Sequence, residues 1–139
     1  MRALIPMLAI AALIAVAPAA ATTGTSTTTA GATDTKAFCK AVIDTNTKAG
    51  TMKNKRFLPV SSVPPSAWKK VVDAAVAGGD RSIALAPSSI RTAVKHEIEW
   101  FKRIKANHYS TTTPLGSWTV AEVRQITNFE RTQCGITFG

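Results

Sequence analysis

The chain has 139 residues, enough for one hydrophobic core and too few for two domains. Seventeen Lys and Arg stand against eight Asp and Glu, a formal net charge of +9, which favours anionic partners. Two cysteines exclude any disulfide framework beyond a single intrachain bridge.

Residues 1 to 21 read as a secretion signal peptide. Arg2 supplies a positive start, and an apolar run from Ala3 to Ala17 follows, broken by Pro6. Pro18-Ala19-Ala20-Ala21 then offers small residues for a signal peptidase, with cleavage after Ala21 preferred over cleavage after Ala19. A retained anchor helix is the alternative, but the run is short and Ala-rich for a membrane span, so no transmembrane segment is expected in the mature form. A single arginine before the run disfavours a twin-arginine route. Cleavage would remove Arg2 as the only charged residue, leaving sixteen basic against eight acidic groups, a charge of +8.

Residues 22 to 35, TTGTSTTTAGATDT, carry no large apolar side chain and are expected to form a Thr-rich, disordered tether. The helical domain is expected over 36–139. Its first helix is predicted from about Lys36 to Met52, capped by Asp34 or Thr35. Phe38, Ala41, Val42, Thr45, Ala49 and Met52 recur on one face. Pro59, Pro64 and Pro65 make the next stretch a loop, whose Phe57, Leu58 and Val60 are expected to pack back. Its basic start, Lys53, Lys55 and Arg56, reads as solvated.

A second helix is predicted from about Ser66 to Gly78-Gly79, between proline at its start and glycine at its end. The third and longest runs from Pro87 to about Asn107, with Ile90, Val94, Ile98, Phe101 and Ile104 as its apolar stripe. Arg91, Lys95, Lys102 and Lys105 gather on one flank, the best candidate for an anion-binding surface. A long loop to Trp118 precedes the fourth helix, which opens on a capping box of Thr119 and Glu122 and closes at Cys134-Gly135. No alternating strand pattern appears. The expected fold class is all-α, a four-helix bundle-like domain with long loops.

Export would place Cys39 and Cys134 in an oxidising compartment, where they are expected to form one structural disulfide. There is no Cys-x-x-Cys to suggest redox catalysis or metal binding.

Local catalytic signatures are missing. His96-Glu97 lacks the second histidine of a zinc-protease helix, and no phosphate-cradling loop or nucleophile elbow occurs. One anomaly is the placement of two acids. Glu97 falls in the apolar arc of the third helix, between Ile90 and Ile104; Glu130 falls in that of the fourth, between Val123 and Ile126. They form a candidate interior polar site, since buried carboxylates are costly unless paired. Arg56 and Arg81 are candidate structural partners; an acid/base pair is the functional alternative. His96 and His108 with Tyr109 and Glu97 give only a weak metal or haem signal, so no cofactor is expected. Trp68, Trp100 and Trp118 suit core packing first, and a membrane or carbohydrate face second.

The Ala-rich signal, the Thr-rich tether, Phe38-Cys39, Ala86-Pro87 and Cys134-Gly135 together resemble small secreted helical proteins of actinobacteria. That resemblance implies an exported helical fold and assigns no catalytic residue. Three functions are then expectations. The first is a non-enzymatic extracellular or envelope-associated module that binds an anionic envelope polymer or lipid surface; export makes nucleic acid an unexpected partner. The second is a carrier for a small ligand, haem or metal included, held between helices beside Glu97, Glu130 and Trp100. The third is a small hydrolase using the two glutamates.

Overall fold

A computed structural model of the chain describes residues 29–58, 65–110 and 118–139. The expected signal peptide, the first half of the expected tether, Val60 and most of the loop before Trp118 lie outside the described residues. The domain is all-α and bundle-like, built from α1 (Thr29–Ala49), α2 (Trp68–Leu85), α3 (Arg91–Ala106) and α4 (Val120–Gln133). Helix α1 packs on α2, α2 on α3, and α4 closes against α3 and α1.

Helix α1 starts at Thr29, inside the segment expected to be tether. Once Phe38, Ala41 and Val42 are buried, extension through alanine-containing sequence adds one hydrogen bond per residue at little cost. The helix stops at Ala49, three residues before the expected Met52, because Gly50 turns left-handed (φ +77°) and Thr51 N–H bonds back to Asn46 O at 3.0 Å.

After this turn the chain forms β1 (Met52–Lys53) and β2 (Arg56–Phe57), an antiparallel hairpin whose edge accepts β3 (Thr137–Phe138) in parallel. The sequence reading held no strands. Two residues per strand are too few for alternation to register. The hairpin turn is Asn54-Lys55, both with positive φ, the requirement of a two-residue primed turn.

Helix α2 runs through Gly78-Gly79 to Leu85 instead of ending there. These glycines are contact points. A Cβ at Gly78 would meet the Thr45 hydroxyl of α1, and one at Gly79 would strike the branched side chain of Ile98 on α3. Absent side chains let three helices approach one another, and that gain outweighs the propensity cost of about 1 kcal/mol per glycine.

Helix α3 begins at Arg91, after a turn in which Pro87 O accepts from both Ile90 N–H and Arg91 N–H at 3.0 Å. The capping box of α4 is present as expected: Glu122 N–H donates to Thr119 Oγ1 at 3.2 Å, and Thr119 N–H donates to Glu122 Oε2 at 2.9 Å. Cys39 and Cys134 are bonded, with Cα atoms 5.2 Å apart, tying α1 to the end of α4. Gly135 turns left-handed beyond it, and Ile136 drops fully buried into the core. The core also holds Phe38, Val72, Ile90, Val94, Ile104 and Ile126. Each buried side chain of that size contributes roughly 1.5–3 kcal/mol.

Candidate binding cavity

The four helices do not fill the space between them. A cavity of about 500 Å³ lies at the centre of the bundle and reaches the small sheet. Helix α3 presents Val94, Glu97, Ile98 and Phe101 to it, and α4 presents Val123, Ile126, Thr127 and Glu130. Both sets follow the i, i+3, i+4, i+7 spacing of an inward helical face, and each contains one glutamate. Opposite them stand Phe38, Val42 and Asn46 of α1 and Trp68, Val71 and Ala75 of α2. Phe57 and Phe138, stacked with ring centres 5.2 Å apart, border it at the sheet.

Aromatic rings form a continuous chain along one side. Trp68 meets Phe101 at 6.4 Å between centroids, Phe101 meets Trp100 at 5.2 Å, and Trp100 meets Trp118 at 5.4 Å. All four border the cavity. Among the described residues the buried Trp118 indole Nε1 has no acceptor, which leaves a donor unsatisfied at the cost of its desolvation.

Glu130 is 6 % exposed, and Glu97 is intermediate in exposure because its side chain borders the cavity. Among the described residues neither is ion-paired; Arg56 and Arg81, the partners considered from sequence, do not reach them. Burial alone pushes the Glu97 carboxyl up from 4.5 to about 7. Burial, then repulsion from Glu97, pushes Glu130 up to about 8. Two unpaired carboxyls therefore share one largely apolar chamber.

The other candidate groups are placed elsewhere. Arg91 donates from Nε to Ala86 O at 2.9 Å. Lys95 pairs with Glu99 at 3.8 Å, Lys102 with Asp80 at 2.8 Å and Lys105 with Asp73 at 2.9 Å. The basic flank of α3 is thus bridged to acids on α3 itself and on α2. Asp73 also accepts from Tyr109 Oη at 3.0 Å and pairs with Lys69 at 2.6 Å. Those hydrogen bonds, Lys69 first, hold its carboxyl well below the usual range. This cluster pins the left-handed His108-Tyr109 turn after α3 to α2. His96 Nδ1 contacts Glu122 of the capping box, away from the cavity lining. Among the described residues no three His, Cys, Asp or Glu side chains are placed to share a metal ion.

A second, shallower concavity of about 520 Å³ lies beside the disulfide, where Lys36 and Lys40 of α1 meet Lys55 of the hairpin. The sequence reading treated Lys55 as merely solvated, since nothing local signals that the hairpin folds against α1. Among the described residues no helix is long and apolar enough to cross a membrane. The chain matches no protein-family model, no curated protein and no solved structure. Function rests on the chemistry of these sites.

Proposed function

We propose that the protein is an exported carrier that holds one small, largely apolar molecule inside its helix bundle. The observation that carries this reading is the central cavity of about 500 Å³, walled by tryptophan and phenylalanine and containing Glu97 and Glu130, not ion-paired among the described residues, and the Trp118 N–H, which has no acceptor among them. Its size lies within the range of pockets that bind drug-sized ligands. An apolar lining with a few convergent polar groups is how such sites orient a ligand. Export is supported by residues 1 to 21 and agrees with a disulfide that needs an oxidising compartment.

Titration of the oxidised protein with Nile red, a neutral apolar dye, tests the reading. Saturable one-to-one uptake with quenching of tryptophan emission is expected, and absence of saturable uptake would remove it. A second reading, docking to an anionic envelope surface, is favoured by the lysines converging beside the disulfide and by the excess of basic charge. It requires co-sedimentation with anionic vesicles that falls steeply with salt; salt-insensitive binding contradicts it.

A further inference from the structure

The geometry points to a specific ligand class: we infer that the cavity binds an apolar amine, its hydrocarbon body against the tryptophan wall and one ammonium group between Glu97 and Glu130. This inference rests on the carrier reading and adds the charge of the cargo.

Three kinds of polar head need comparing. A carboxylate or phosphate head would meet two acids, and among the described residues the cavity lining offers no lysine, arginine or histidine to receive it, although the protein is strongly basic outside. A neutral hydroxyl or carbonyl head would give Trp118 Nε1 an acceptor but leave the mutual repulsion of the glutamates untouched. An ammonium answers both groups at once when they are ionised, and favours their ionisation. It replaces the solvent they have lost and turns their repulsion into a shared attraction. Trp68, Trp100 and Trp118 line the same cavity, and an aromatic lining suits a desolvated cation through the ring quadrupole. Glu130 is the sharper of the two acids. It is 6 % exposed, it lines the cavity, and no described residue pairs with it.

The test uses three probes that share one chain and differ in head group: octylamine, octanol and octanoate. Each is titrated by calorimetry into the oxidised protein, above the pH range in which the two carboxyls lose their protons. Octylamine is expected to bind at least about ten-fold more tightly than octanol, and octanoate least tightly. The double variant Glu97→Gln, Glu130→Gln should bring octylamine to within about three-fold of octanol measured on the same variant, with near-ultraviolet circular dichroism confirming its packing. Octanol or octanoate binding the unaltered protein as tightly as octylamine would overturn the inference and leave the carrier reading standing. Saturable binding of none of the three overturns both.

Discussion

At the scale of single residues, the two glutamates of the cavity dominate. Their carboxyls hold protons in the folded state at pH values where the unfolded chain, near the ordinary 4.5, has released them. Stability is then fully present below the unfolded value and is lost as pH rises through about 7 for Glu97 and about 8 for Glu130. The melting temperature is therefore expected to fall by roughly 10 °C or more between about pH 5 and about pH 9. Glu130→Gln should flatten much of that slope and raise the melting temperature at the alkaline end. A melting curve that rises with pH over this interval would show that the carboxyls are not buried without partners. The placement of both acids was legible in the sequence, because each interrupts an apolar stripe at helical spacing. Their lack of partners was not. Arg56 and Arg81 were plausible by composition, and only the fold shows that Arg56 lies exposed on the hairpin and forms no ion pair with either acid.

At the scale of elements, the fourth helix was readable almost to the residue, since a capping box and a terminal glycine are local signals. Helix α2 was misread for an equally physical reason. Paired glycines end a helix when they adopt left-handed backbone, yet they continue it when a neighbouring helix needs the space, and sequence alone does not separate the two. Gly79 supplies the test. Replacement by alanine gains up to about 1 kcal/mol of helix propensity but drives a methyl group into Ile98, and overpacking of this kind costs about 1–3 kcal/mol. Gly79→Ala is expected to lower stability by a net amount of up to about 2 kcal/mol, read as a lower urea midpoint. An unchanged or higher midpoint would mean that α2 and α3 have room between them. Strands β1 and β2 escaped notice because two residues each are too few for alternation to show, and β3 because its partner lies far away in sequence: Thr137 N–H reaches Lys55 O at 3.0 Å, and Gly139 N–H reaches Phe57 O at 3.1 Å.

At the scale of the whole molecule, one covalent link closes the domain around an incompletely filled interior. The Cys39–Cys134 bond spans 95 residues and encloses α2, α3 and α4 completely. Closing so long a loop is worth about 4–5 kcal/mol in the chain-entropy model, with measured losses of about 2–5 kcal/mol when native bridges are removed. Reduction should accordingly lower the urea midpoint by several tenths of a molar or more at unchanged pH; a midpoint indifferent to reductant would show that the bridge constrains nothing. The bridge was foreseeable from two cysteines and a signal-like start. A ligand space beside Glu97, Glu130 and Trp100 was one of the expectations, but its volume was not legible, because packing density is a property of four faces together and no single helix reports it. A small domain that leaves about 500 Å³ open gives up dispersion contacts that a filled core would make, a cost a bound ligand would offset.

The most direct test of the central claim compares Nile red uptake by the unaltered protein and by Ala75→Phe, which adds a ring to the cavity wall contributed by α2. The account predicts saturable one-to-one uptake by the first, and loss of uptake by the second at equal or greater thermal stability. Undiminished uptake by a folded Ala75→Phe protein would place the dye elsewhere and contradict a carrier built around the bundle interior.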